Sequence, residues 1–228
     1  MNDLVKWNSA VMNNLYQDLK VPCKLIGIHG RAHSGKDTCA GYLHDRYADH
    51  WIEAFADPLK AACKELFGIP EEFFYDQTMK EQIIPGWEVS ARMAAQFVGT
   101  ELVRENMWKL LSKDYDNFWV RRMAYKLQGT IEGDGVSYTA EDTIIIPDVR
   151  FQNEHDWIID NGGIIIHLTR PELSGTVGLP AHKSEAGIQF TAPNSTYHVI
   201  NDDTLDILFL KLRSIFEPYL HNSGVLPE

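Results

Sequence analysis

One glycine-rich stretch with a single lysine carries the clearest chemistry in the chain: Gly30-Arg31-Ala32-His33-Ser34-Gly35-Lys36-Asp37-Thr38. It follows an apolar run, Lys24 to His29, and precedes a helix-like segment from Lys36 to about Tyr47. Strand, glycine-rich turn and helix in that order let several backbone N–H groups converge on phosphate oxygens. The helix N-terminus adds partial positive charge. Lys36 then reaches the terminal phosphates of a bound nucleotide, with Gly30, His33, Ser34 and Gly35 forming the cradle. The pattern expects a hydroxyl residue directly after the lysine, but Asp37 stands there and Thr38 follows. A magnesium ion wants oxygen donors, and Asp37, Thr38 and Asp148 are the ones best placed to hold it, directly or through water. For Asp37 the alternative is a helix-dipole partner in the first turn.

Three further groups bear on phosphate chemistry. Asp148 and Arg150 lie two apart at the end of an apolar β-branched run, so they project to one side. Glu154, four residues beyond Arg150, is placed to orient that guanidinium. Arg92, Gln96, Gly99 and Thr100 fall at i, i+4, i+7 and i+8, near one helix face. Arginine grips a monophosphate bidentately and glutamine bonds a base edge, although a solvated polar face is the commoner fate of such spacing. Arg170, His182, Lys183 and Glu185 sit in a loop that would deliver a cation on closing, or would simply line the surface. For Trp119 the default is core packing.

The elements that must position these residues alternate. Strands are expected at 24–29, 51–56, 143–147, 164–169 and 197–200. Helices are expected at 36–47, at 57–67 with Asp57 as N-cap and Pro58 at N1, and at 90–105 with Ser90 as cap. Others follow at 117–128, 151–161 and 203–219, the last with Leu205, Leu208, Phe209, Leu212, Ile215 and Phe216 on its apolar side. Residues 68–88 read as irregular with one short helix, and 3–19 as an amphipathic helix suited to packing on the domain or on a second subunit. The alternation predicts an α/β domain with a mainly parallel sheet. Ligands bind such sheets beyond the carboxyl ends of the strands. The glycine loop follows the first strand, Asp57 the second, Asp148 and Arg150 the third, and Arg170 the fourth, so four polar groups are expected at one edge.

At 228 residues and 44% apolar content the chain suits one domain with an ordinary core. A net charge of −11 argues against a general nucleic-acid binder. The three cysteines show neither metal spacing nor a disulfide framework, which fits a reducing cytosol. No stretch approaches the roughly 18 apolar residues of a membrane span, and the first twenty residues lack the features of a signal peptide.

The chain resembles the bacteriophage deoxynucleoside monophosphate kinases. The resemblance rests on Ser34-Gly35-Lys36-Asp37-Thr38, Arg92 through Thr100, Phe118-Trp119-Val120, Ile146-Pro147-Asp148-Val149-Arg150 with Glu154, His167 through Pro171, and His182 with Glu185-Ala186-Gly187. These run in order across about residues 24–215. Asp after the loop lysine belongs to that family's pattern; Met93 and the stretch between 68 and 90 depart from it. The resemblance implies a P-loop kinase fold: a five-stranded sheet flanked by helices, an acceptor-binding helical region over about 68–142, and a lid-like loop at 171–191. It implies ATP as phosphate donor, Mg2+, and a deoxynucleoside monophosphate acceptor, in the cytosol of an infected cell. Neither nucleic acid nor membrane is an expected partner, and a homodimer is compatible. Carried over by position, Lys36, Asp37, Asp148, Arg150 and Arg170 are catalytic, and Arg92, Gln96, Gly99, Thr100, Trp119, Arg150 and Glu154 form the acceptor pocket. The rivals are another small-molecule P-loop kinase, such as an animal-type phosphomevalonate kinase, and a non-catalytic ATP-binding switch.

Overall fold

A computed structural model describes residues 19–76, 78–110, 117–129, 137–171, 188–190 and 192–221. Residues 3–18 of the helix expected over 3–19, and most of the lid-like loop, including His182, Lys183 and Glu185, lie outside them.

Apolar β-branched runs give the sheet. Strands β1 (Lys24–His29), β5 (Thr143–Val149) and β6 (Ile164–Thr169) bury apolar side chains on both faces, through Leu25 and Ile26, Ile144 and Ile145, and Ile165 and Ile166, as interior parallel strands require. Each such side chain contributes roughly 1.5–3 kcal/mol on burial. With β2 (His50–Ile52) and β7 (Thr196–Ile200) they form one sheet in the order β2-β5-β1-β6-β7, every neighbouring pair parallel. One face, through Leu25, Ile144, Ile146 and Ile165, packs on α5 (Phe118–Leu127) and α6 (Gln152–Asp160). The other, through Ile26, Ile145 and Ile166, packs on α1 (Lys36–Arg46) and α7 (Leu205–His221). The result is a three-layer α/β architecture. Because β5 and β6 flank β1 on opposite sides, the crevice of a topological switch point opens at the carboxyl end of β1. Among the described residues no helix is long and apolar enough to cross a membrane.

Several expected boundaries shift for identifiable reasons. β2 ends at Ile52 rather than residue 56, because the chain then turns to meet other partners. Glu53 takes Lys126 and the Tyr138 hydroxyl, and the Phe55 and Ala56 amides go to Asp148. Helix α2 (Asp57–Phe67) places Asp57 at N1 with Ala56 as N-cap. The Asp57 carboxylate accepts from the Ala54 amide at 3.2 Å, so it closes the turn before the helix instead of capping it. β5 runs two residues beyond the expected end, because Val149 pairs with His29 across a register shift in β1.

The stretch from 68 to 90 is more ordered than expected. It forms α3 (Glu72–Tyr75), a 3-10 turn (Met79–Glu81) and a two-stranded antiparallel hairpin, β3 (Ile83–Ile84) and β4 (Val89–Ser90). Ser90 caps the next helix as expected, its hydroxyl accepting from the Met93 amide at 3.2 Å. That helix is α-helical only over α4 (Ala91–Gln96) and widens to a π-helix over Phe97–Arg104. In α7, Leu208, Leu212 and Phe216 are buried, whereas Leu205 is exposed.

Candidate active site

The glycine loop is tightly constrained. A Cβ at Gly30 would stand 2.4 Å from the Leu168 carbonyl oxygen and 2.7 Å from Ser34 Oγ, so only glycine fits. His33 (φ 62°) and Gly35 (φ 103°) both take left-handed conformations, which turn successive N–H groups inward. Asn201, just after β7, donates its side-chain amide to the Ser34 carbonyl at 2.9 Å and fixes the loop to the sheet edge. No spacing argument singled out Asn201, because 167 residues separate it from Ser34. Lys36 Nζ donates back to the Gly30 and Arg31 carbonyls at 2.9 and 2.8 Å. Ser34 Oγ is buried with no hydrogen-bond partner, a cost that a phosphate oxygen at the loop would relieve. The loop therefore fits a phosphate chain. Asp37 and Thr38, both exposed in the first turn of α1, and Asp148 supply hard oxygen donors of the kind magnesium takes.

Beside the loop lies a cavity of about 520 Å³, within the size range of small-molecule sites. Lys36 and Asp37 line it from α1, Asp57 from α2, and Asp148 and Arg150 from the end of β5. Arg92 and Gln96 on α4, Gly99 and Thr100 on the π-helix, and Trp119 on α5 also line it. The residues expected at one helix face thus share one wall despite the change of helical pitch. Thr38, Ser34, Gly30 and Gly35 do not line this cavity, and neither does Arg170, exposed just past β6. Three of the four groups expected at the sheet edge meet there.

Asp148 acts as a clamp as well as an oxygen donor. Its Oδ1 accepts from the Phe55 amide at 3.0 Å and its Oδ2 from the Ala56 amide at 2.9 Å. Those bonds hold the β2–α2 turn, and hence Asp57 and Lys60, against the cavity. Burial pushes the Asp148 carboxyl above its ordinary pKa, while the two amides, Arg150 and Lys60 pull the other way.

Glu154 does not orient the Arg150 side chain. From the third position of α6 its Oε2 reaches back to the amides of Arg150 (2.8 Å) and Phe151 (3.1 Å), as in a capping box. Its Oε1 takes the Arg104 guanidinium at 2.6 Å. Arg104 also bonds Asn153 and lies 3.6 Å from the Phe151 ring centroid. Glu154 thus fixes the backbone that presents Arg150, and Arg104 is a cavity-lining cation that sequence spacing missed.

Burial drives the Glu154 pKa up to about 7, with Arg104 and the two amides opposing the rise. A carboxyl raised in the folded state binds its proton more tightly there than in the unfolded chain. Its contribution to stability is full below about pH 4.5 and is lost as pH rises through about 7. Glu154→Gln lacks that slope. In thermal melts the midpoint of the native protein relative to the variant should fall between about pH 5 and pH 8. A constant difference across the window would show that Glu154 is not the titrating group.

Trp119 is buried, and its indole N–H donates to the Gly99 carbonyl at 3.0 Å. Only its ring remains to face a ligand. Arg92 Nε is paired with Glu81 on the 3-10 turn. Lys60 sits 4.2 Å over the Tyr75 ring and bonds Asp57. Lys60, Tyr75 and Lys80 line the cavity without having been signalled in the sequence.

A family described as deoxynucleotide monophosphate kinase matches residues 71–212. A protein of Acanthamoeba polyphaga mimivirus, provisionally named a deoxynucleotide monophosphate kinase, is 34% identical over 195 residues, covering 83% of this chain and 94% of its own. The crystal structure of TT1252 from Thermus thermophilus is similar at a TM-score of 0.44 and 19% identity, over 87% of this chain and 98% of that one.

Proposed function

Since the chain belongs to the deoxynucleotide monophosphate kinase family, and so is a nucleotide kinase, we propose that it moves the γ-phosphate of magnesium-bound ATP onto a deoxynucleoside monophosphate, supplying DNA precursors during viral replication. The observation that carries this reading is the single cavity that Lys36 and Asp37 share with Arg92, Gln96, Asp148 and Arg150. A donor loop and an acceptor wall open on one space.

In this reading Gly30, His33, Ser34, Gly35 and Lys36 cradle the ATP phosphates, with Thr38 beside them. Asp37, Thr38 and Asp148 would hold magnesium, which when bound neutralises charge on the donor phosphates. Arg92 receives the acceptor phosphate on leaving Glu81, while Gln96, Thr100 and the Trp119 ring meet nucleoside groups. Gly99 lets this wall approach α2, since a Cβ there would stand 2.6 Å from Leu59. Arg150 and Lys36 spread the charge of the transferred group. Arg170, exposed just past β6, belongs to the donor side. An acceptor phosphate is already an anionic nucleophile, so no dedicated base is required.

ADP release measured with each deoxynucleotide, each ribonucleotide and phosphomevalonate as acceptor tests this. Turnover with one or more deoxynucleoside monophosphates is the expected result. Turnover with phosphomevalonate alone would move the chain to a different small-molecule kinase activity. ATP binding with no acceptor-dependent turnover would make it a switch protein.

A further inference from the structure

One cation of the cavity wall comes from a short turn rather than from the glycine loop, a strand end or a packed helix. Lys80 lies in the 3-10 turn Met79–Glu81, half-buried, and lines the same space as Lys36, Asp37, Arg92 and Arg150. The turn is held in place. The Asp76 carboxylate accepts from the Thr78 amide (2.8 Å), the Thr78 hydroxyl (2.6 Å) and the Met79 amide (2.9 Å), and the Lys80 amide donates to the Asp76 carbonyl at 3.1 Å.

The charges around Lys80 are of mixed sign, two arginines and two carboxylates. Arg92 from α4 and Arg150 from the end of β5 repel it, while Glu81 on its own turn and Asp37 from α1 attract it. Glu81 already pairs with Arg92. Burial and the two arginines lower the Lys80 pKa. A protein gathers cations in a half-buried cleft at an electrostatic cost, and an arriving polyanion removes that cost. Asp37 belongs to the donor side and Arg92 to the acceptor side, and Lys80 lines one cavity with both, so its stem opens on the space the two phosphates would share.

We propose that Lys80 is a further catalytic residue of the transfer, the cation that bridges donor and acceptor phosphates. The inference rests on the proposed kinase reading. In the step, an acceptor phosphate oxygen forms a bond to the γ-phosphorus as the bond to the β–γ bridging oxygen breaks, and that electron pair leaves with ADP. No proton moves; Lys80 keeps its own and neutralises charge that builds on the equatorial oxygens. Such a cation acts most strongly in the transition state, so its loss falls on turnover rather than on substrate binding.

Lys80→Met keeps the aliphatic stem and removes the charge. Its kcat should fall about 100-fold, the loss typical of one electrostatic donor, with KM for both substrates within about threefold of the native value. Lys80→Arg should recover much of the loss. Lys80→Cys followed by aminoethylation restores an ammonium of nearly the native length. Cys23, Cys39 and Cys63 are all buried, so the reagent reads position 80. Recovery of kcat on aminoethylation, with an unchanged melting midpoint, is the expected result. A Lys80→Met enzyme within about fivefold of native kcat, or a folded Lys80→Cys enzyme that stays inactive after modification, would overturn the proposal. If the native protein turns over no deoxynucleotide, the kinase reading fails by itself. Lys80 is then judged by binding of inorganic tripolyphosphate: weakening of about tenfold in Lys80→Met supports a polyanion site there, and unchanged affinity overturns it.

Discussion

Lys36→Met should lower kcat for phosphoryl transfer by about 10²–10³-fold, the loss expected when one preorganised cation is removed from a developing phosphoryl charge. KM for the deoxynucleotide should move little, because Lys36 stands on the donor side of the cavity. Its ammonium donates to the Gly30 and Arg31 carbonyls. Those bonds park the cation at the loop, from where a short swing of the flexible stem reaches a bound phosphate. Loss of the Arg31 bond costs little stability, since it is solvent-exposed and water can replace the lysine, whereas loss of the part-buried Gly30 bond costs about 1 kcal/mol. The measurement is steady-state kinetics with a melting curve beside it. A folded variant that keeps kcat within about tenfold of native would remove Lys36 from the transfer step.

Asp148→Ala should be the most destabilising single change at the site as well as an inactivating one. It strands the Phe55 and Ala56 amides, which donate to the two carboxylate oxygens. Each partly buried amide left without an acceptor costs about 1–2 kcal/mol. At this chain length each kcal/mol shifts the melting midpoint by about 2–4 °C, giving a fall of roughly 5–15 °C. Burial raises the Asp148 pKa, so ionising it in the fold carries its own cost at neutral pH, and removing the charge offsets part of the loss. Asp148→Asn separates the two roles. It keeps one acceptor oxygen and turns an NH2 toward the other amide, so it should melt between the native protein and Asp148→Ala. As a poorer metal ligand it should still lose about 100-fold or more in kcat, with some return at high magnesium. An Asn variant with near-native turnover would restrict Asp148 to its clamping role. An Ala variant with a native melting midpoint would remove that role.

The sheet was legible because buried parallel strands leave a strong signal. Ile144-Ile145-Ile146 and Ile164-Ile165-Ile166 have no amphipathic reading, and Asn161-Gly162-Gly163 marks where one element must end. The loop was legible because its chemistry is local: glycine conformations, a lysine and a helix start lie within nine consecutive residues. The hairpin and 3-10 turn between 68 and 90 were not. Their elements are two to four residues long, too short for any periodicity, and are held by side-chain contacts such as the Asp76 carboxylate on Thr78 and Met79. The π-helix looks like an ordinary helix in the sequence, because apolar spacing does not register the change in pitch that brings Gly99 under the Trp119 indole.

By itself the sequence determined that a glycine-rich loop with a lysine ends the first strand of a parallel α/β sheet, and that Asp148 and Arg150 share its edge. Those facts follow from propensity, hydrophobic pattern and the alternation of side chains along a strand, all of which act over a few residues. Only the tertiary structure decided which charge meets which. It gave Glu154 to Arg104 across fifty residues and to the Arg150 amide instead of its guanidinium. It gave both Asp148 oxygens to amides more than ninety residues away, and it set Asn201 on the loop and Lys80 among the arginines. The physical reason is that an ion pair or a stranded amide is satisfied by whatever the fold brings within about 3 Å. Distance in space of that order has no counterpart in distance along the chain.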